Sequence, residues 1–363
     1  MKYKLYSIVC VLMMSVPALL SLLLPPRAMS RNENRYLAKA PAFSIQALDS
    51  GSFQEGLESY LSDQFPGRDT WMQLNTLLKL AAGYRDIGDV YLCRDGFMMQ
   101  MHPQGSFDEA KYLRSIGYLR RFAEDSGVPA KALLIPSAAS VLEDKLPPGA
   151  ASYDAAAAYR LARDAFGAVA VPDLTQALKS GDSTQYYYHT DHHWTAAGAL
   201  IGYQCLTEGS GRSPGTRIPF CQDFYGTAWS RTLLPFAKPD SVELFDVPQS
   251  LRVTADGEEI SLYDFGASER KDKYTVFLGG NHGIVTIEGG CSNGRTLLVI
   301  KDSFANCLAP LLTSDYETVI LIDLRYYSGS LHQLLSSARP DELLFVFEMS
   351  GLASGDDFVK LLM

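Results

Sequence analysis

The sequence predicts an α/β fold whose mainly parallel sheet is covered by helices on both faces. Four apolar runs carry that prediction: Ala130–Ile135, Thr296–Ile300, Thr318–Ile322 and Leu343–Phe347 are of strand length and apolar almost throughout. A strand with one wet face alternates apolar and polar residues, so continuous runs of this kind read as strands buried on both sides. Stretches of helical periodicity, Glu109–Ala123 and Ala155–Ala162 among them, lie between or beside these runs, and strands alternating with helices build parallel units. The rhythm breaks over about 208–290, where Gly and Pro punctuate an irregular stretch that reads as an insertion, and then resumes.

The chain has 363 residues, 47% of them hydrophobic, enough to bury a large core. Its 32 basic and 41 acidic residues give a net charge of −9. No Lys/Arg run or basic-aromatic stripe is present, so nucleic acid is not an expected partner. No motif calls for a cofactor.

At the amino end, Lys2 and Lys4 precede an apolar run from Leu5 to Leu24 that Pro25-Pro26-Arg27 closes. Roughly 20 such residues suffice to cross a bilayer. No clean Ala-x-Ala cleavage site directly follows the run, so residues 1–27 read as an uncleaved signal anchor rather than a removed signal peptide. Lysines ahead of the run place the rest of the chain on the extracytoplasmic face, in the cell envelope. Residues 28–85 follow as a tether and helical lead-in, with helices at Phe53–Leu61 and Trp71–Leu80 around a Pro66-Gly67 corner. Residues 86–363 form the α/β domain. It opens with a hairpin, Val90–Leu92 and Phe97–Met99 around Arg94-Asp95-Gly96, and includes further strands at Ala168–Leu174, Val242–Val247 and Tyr274–Leu278. Beyond Cys10, five cysteines remain without a Cys-x-x-Cys pair, which argues against a structural zinc site. They read as free thiols, with Cys205–Cys221 as the one bridge to consider.

The chemistry concentrates in Tyr188-His189-Thr190-Asp191-His192-His193-Trp194-Thr195. Three of the six histidines and a carboxylate occupy five positions there. Aspartate can orient an imidazole and histidine can take a proton near neutral pH, so Asp191-x-His193 is two thirds of a nucleophilic triad. The strand Thr296–Ile300 runs into Lys301-Asp302-Ser303-Phe304-Ala305-Asn306 and a helix. Ligands of open α/β sheets bind beyond the carboxyl ends of the strands, which makes Ser303 the candidate nucleophile, with amides of the following turn to stabilise an oxyanion. A serine before a helix is more often an N-cap, and only its pairing with Asp191 and His193 lifts it above that reading.

The blocks Thr190-Asp191-His192-His193-Trp194-Thr195 and Lys301-Asp302-Ser303-Phe304-Ala305-Asn306 resemble the DHHW protein family, related to the SGNH-hydrolase-like alginate O-acetyltransferases. Glu33-Asn34-Arg35-Tyr36-Leu37-Ala38, Asp63-Gln64-Phe65-Pro66-Gly67-Arg68 and Ile322-Asp323-Leu324-Arg325-Tyr326-Tyr327 extend the resemblance along the chain. It implies a flavodoxin-like three-layer domain with Asp and His preceding Ser, a permuted triad order. It further implies Ser303 as nucleophile, His193 as general base and Asp191 as its orienting carboxylate. A polysaccharide would be the substrate, and a multispanning membrane acyltransferase would supply acetyl groups. One departure stands beside the nucleophile: relatives carry a small residue where this chain has Asp302, whose charge opposes an oxyanion unless it is paired or turned away.

Arg325, Tyr188 and Trp194 are the candidate glycan contacts, although tryptophan more commonly packs in a core. Two other functional classes stay open on the sequence. One is a metal-dependent hydrolase using His189, Asp191, His192 and His193, whose crowding within five residues makes ligation awkward; no metal is expected. The other is a catalytically inactive glycan-binding or assembly protein.

Overall fold

The computed structural model describes residues 2–103, 105–207, 215–247 and 251–362. The chain divides into two compact units, residues 1–88 with 229–236 and residues 89–228 with 237–363.

In the larger unit a seven-stranded sheet forms the centre. Its strands in chain order are β1 (Ala130–Ile135), β2 (Arg252–Ala255), β3 (Glu258–Ile260), β4 (Ile284–Glu288), β5 (Thr296–Lys301), β6 (Thr318–Ile322) and β7 (Glu342–Glu348). Side by side they run β3–β2–β4–β6–β5–β7–β1. The four apolar runs pair in parallel, β6 with β5, β5 with β7 and β7 with β1. Strands β4, β2 and β3 add an antiparallel edge, so the mainly parallel sheet expected from the sequence is a mixed one. Within that edge β2 and β3 are joined by a two-residue Asp256-Gly257 turn with both φ positive, +50° and +91°, the geometry that folds a chain back on itself as a hairpin.

Leu297, Leu298, Val299 and Ile300 of β5 are all buried, as are Val319 to Ile322 of β6, so both faces of the sheet are covered. Helix Glu109–Ser126 packs with Ala155–Phe166 and Met349–Ser354, and helix Phe304–Leu312 with Ala196–Leu206. Their ends are set locally. Asp108 and Asp154 accept N–H bonds from Lys111 and Ala157 at 2.8 and 2.9 Å, and Thr195 caps Ala196–Leu206 through Gly198. The predicted strand Ala168–Leu174 shrinks to a single bridge, Lys131 with Ala170. Pro172 cannot donate to a ladder, which ends the pairing there. Tyr274–Leu278, read as a strand, is instead a 3-10 turn at Lys273–Val276 that Asp272 caps.

From β5 the chain passes to β6 on one side and then to β7 on the other. Strand order reverses at β5, and such a switch point opens a crevice beyond the strand's carboxyl end. Ser303 lies two residues past that end.

In the smaller unit the helices Ser52–Asp63 and Arg68–Ala81 follow the predicted pair. Arg35 donates two bonds to the Asp63 carboxylate at 2.8 and 2.5 Å, Ala38 N–H adds a third at 2.8 Å, and Arg68 pairs with Glu33. The two motifs Glu33–Ala38 and Asp63–Arg68 are thus halves of one ion-pair lattice, and the bonds from Arg35 hold the Asp63 carboxyl down at about 2. Lys2–Leu23 forms one helix with Pro17 inside it. Among the described residues no helix is long and apolar enough to cross a membrane, so the expected anchor is not carried by the structure. Cys93, Cys221, Cys291 and Cys307 are free thiols, so the Cys205–Cys221 bridge does not form.

Candidate active site

Three side chains meet at the switch point. Ser303 Oγ–H donates to His193 Nε2 at 2.8 Å, and His193 Nδ1–H donates to Asp191 Oδ1 at 2.6 Å. Residues 110 positions apart are therefore joined in the order nucleophile, base, orienting carboxylate. Asp191 is tied down on both oxygens. Oδ1 also accepts the His193 N–H at 3.0 Å, while Oδ2 accepts Thr227 N–H and Oγ–H at 2.8 and 2.9 Å. Burial alone would raise this carboxyl, but the imidazoles of His192 and His193 and the bonds from His193 and Thr227 outweigh it and hold it well below the usual range. An ionised Asp191 fixes the His193 tautomer with its free Nε2 lone pair toward Ser303.

Several groups missed in the sequence hold these three in place. Tyr274 stacks on the His193 ring, centroids 3.9 Å apart and planes 11° from parallel, and its hydroxyl donates to Ser303 C=O at 3.1 Å. Buried Asp240 accepts Thr190 N–H and Oγ–H at 2.8 and 2.6 Å and His189 N–H at 2.8 Å, which pins the loop ahead of Asp191. The His189 ring stacks on Phe97 at 3.9 Å, so it is a supporting group. Gly226 presses directly on Asp191: a Cβ there would lie 2.2 Å from Asp191 Cβ and 2.4 Å from its Oδ2. Gly226→Ala must push that carboxylate aside. The expected result is a loss of about 1–3 kcal/mol in stability together with lost activity, read by thermal melting and turnover of the same preparation; an unchanged melting temperature contradicts the packing.

The carboxyl ends of β5, β6 and β7 wall a cavity of about 260 Å³ lined by Ser303, His192, Asp302, Arg325, Glu348 and Phe358 among others. Asp302, feared as an unpaired charge, is turned into the backbone. Its Oδ1 accepts Phe304 N–H at 2.9 Å and its Oδ2 accepts Glu348 N–H at 2.7 Å. Burial pushes its carboxyl up to about 6 despite those bonds. The same bonds correct the expected oxyanion site. Phe304, Ala305 and Asn306 N–H groups already have acceptors, and among the described residues the Ser303 N–H is the amide of this turn without one.

Arg325, a predicted contact, does reach this cavity. Asp323 grips its Nε and Nη2 at 2.8 and 2.6 Å, and buried Lys301 stands behind, 3.6 Å from Asp323 and bonded to Asn306 at 2.7 Å. The other two predicted contacts are corrected. Trp194 is fully buried, donates Nε1–H to Phe304 C=O at 2.9 Å, and packs on Gly202, where a Cβ would sit 2.9 Å from its indole. It holds the helix that follows Ser303. Tyr188 is buried too, edge-on to Phe224 and Tyr274, and offers no face to a glycan.

Asp191, His192 and His193 place three potential ligand atoms within 4.8 Å of one another. The donor set does not suit a metal. His193 Nδ1 donates to Asp191, its Nε2 accepts from Ser303, both Asp191 oxygens accept protein hydrogens, and His189 points to Asp240 instead.

A serine, an imidazole and a carboxylate in series at the switch point of a layered α/β sheet are the parts of a nucleophilic triad. Comparison with known proteins points to an SGNH hydrolase-like domain. A family model described as an SGNH hydrolase-like domain, acetyltransferase AlgX, matches residues 98–217, and the model of the DHHW protein matches residues 158–322, which include Asp191, His193 and Ser303. A DHHW family protein from Eubacterium siraeum DSM 15702 superposes with a TM-score of 0.62 at 22% identity, covering 76% of this chain and 95% of that one. Bacillus cereus PatB1, solved with a sulfonyl adduct, gives 0.60 at 22% identity over 74% and 97%. These likenesses share the fold. No curated protein matches the sequence.

Proposed function

We propose that this protein is a membrane-anchored, extracytoplasmic O-acetyltransferase or acetylesterase that acts on a cell-surface or exported polysaccharide through Ser303, His193 and Asp191. The hydrogen-bonded series from Ser303 Oγ to Asp191 Oδ1, 2.8 and then 2.6 Å, carries this reading. The match to an acetyltransferase family model supports the acyl chemistry.

His193 takes the Ser303 proton as Oγ attacks the carbonyl of an acetyl donor, and Asp191 stabilises the imidazolium that forms. The developing oxyanion finds the Ser303 N–H and the cavity-facing guanidinium of Arg325, whose Nη1 is not committed to Asp323. His193 returns the proton to the departing group and leaves an acetyl ester on Ser303. A sugar hydroxyl or water then attacks that ester with His193 again as base. The apolar run Leu5–Leu24 of the sequence is what supports attachment beside a multispanning acyltransferase that delivers acetyl groups.

The reading is tested with purified protein, a chromogenic acetyl ester as donor and an oligosaccharide as acceptor. Acetate release or acetylated sugar that persists after chelator treatment is expected. Absence of both, or activity restored only by added metal, overturns the serine mechanism.

A further inference from the structure

The first histidine of the Asp-His-His-Trp block, His192, has no part in the mechanism above, yet it stands in the same cavity wall as Ser303. Its ring is 3.9 Å from that of His193 and tilted by 37°. Which nitrogen carries its proton follows from its neighbours. Ionised Asp191 can only accept, so the Thr227 hydroxyl gives its single proton to Asp191 Oδ2 at 2.9 Å. That oxygen is then an acceptor at its 2.7 Å contact with His192 Nδ1, which must be the protonated nitrogen. His192 is left with a bare lone pair on Nε2, which has no partner among the described residues. Burial, and then the neighbouring His193, hold its imidazole below the ordinary value and so keep it neutral.

We propose that His192 Nε2 accepts a hydrogen bond from the hydroxyl adjacent to the one being acetylated, so that the site selects acceptors carrying a vicinal diol. This inference rests on the acyl-transfer reading of Ser303. The reacting hydroxyl gives its proton to His193 Nε2 as its oxygen bonds the acyl carbon, the Ser303 Oγ–carbon bond breaks, and the proton passes to Oγ. His192 exchanges no proton. It fixes the neighbouring hydroxyl and thereby the face and position of the sugar that the acyl group meets. A site that hydrogen-bonds a substrate hydroxyl discriminates against the analogue lacking it, because a desolvated acceptor is left unpaired.

The experiment uses the full chain in two steps. First, Ser303 is labelled with a sulfonyl fluoride and the modified peptide is identified. Second, acetyl transfer from a chromogenic acetyl ester is measured to a methyl glycoside with adjacent hydroxyls and to its deoxy analogue lacking one of them. The wild type should favour the diol on the order of tenfold, and His192→Phe and His192→Asn should bring the ratio close to one. The ratio is taken within each variant, so any change in Ser303 reactivity cancels. Equal ratios in wild type and both variants overturn the assignment of His192. Failure of Ser303 to label in the wild type overturns the acyl-transfer reading itself.

Discussion

Ser303→Ala is expected to lower acetyl transfer or ester hydrolysis by a factor of about 10³ or more while leaving the melting temperature nearly unchanged. Members of a triad act as a unit, so removing the nucleophile leaves what the oxyanion donors and binding alone provide. The fold should tolerate the change because the Ser303 side chain caps nothing in the helix that follows, and its one side-chain hydrogen bond among the described residues, to His193, lies at the cavity. The capping task falls to Asp302, whose carboxylate serves Phe304 N–H. Rates of the two proteins on one chromogenic acetyl ester, with melting curves alongside, check both halves. Equal turnover would remove the serine from the chemistry.

Asp191→Asn should cost comparably in rate, on the order of 10³ to 10⁴, and in stability as well. Four hydrogens point at this carboxylate: His193 N–H and Nδ1–H on one oxygen, Thr227 N–H and Oγ–H on the other. An amide has only one acceptor oxygen, so its NH₂ must face a backbone N–H of either His193 or Thr227. Leaving that buried donor unpaired costs about 1–3 kcal/mol. If the NH₂ takes the side of His193, the imidazole is driven into the tautomer with its proton on Nε2 and can no longer accept from Ser303. Rate and melting temperature should therefore fall together, unlike in Ser303→Ala. A variant with wild-type turnover would mean that Asp191 orients nothing.

What the sequence discloses and what it conceals divide along physical lines. Asp191 and His193 are legible because three histidines and a carboxylate within five positions are improbable by chance, and Ser303 because it follows the end of a buried strand. The four parallel strands are legible because burial on both faces writes itself as unbroken apolar runs. Thr227, Asp240 and Tyr274 are ordinary polar residues 29 to 50 positions from these hydrogen-bond partners, and nothing local marks them. Asp256-Gly257 is a hairpin signal that pairs β2 with β3, but nothing local says that the hairpin joins the central sheet. Trp194 and Tyr188 show the opposite failure. An aromatic beside a catalytic motif looks like a sugar platform, but in sequence a buried ring and an exposed one are the same letter. Asp302 looked like a threat as a lone charge and proves to be a pair of backbone acceptors, a distinction set by Phe304 and by Glu348, 46 residues away.

The most direct test of the account is the covalent intermediate. The purified protein is mixed with a chromogenic acetyl ester without a sugar acceptor, quenched in acid within its first turnovers, digested and analysed by mass spectrometry. The account predicts one acetyl group on the peptide that contains Ser303, absent in Ser303→Ala and lost when acceptor sugar is added before the quench. Turnover with no acetyl on Ser303, or an acetyl group that acceptor does not remove, would contradict it.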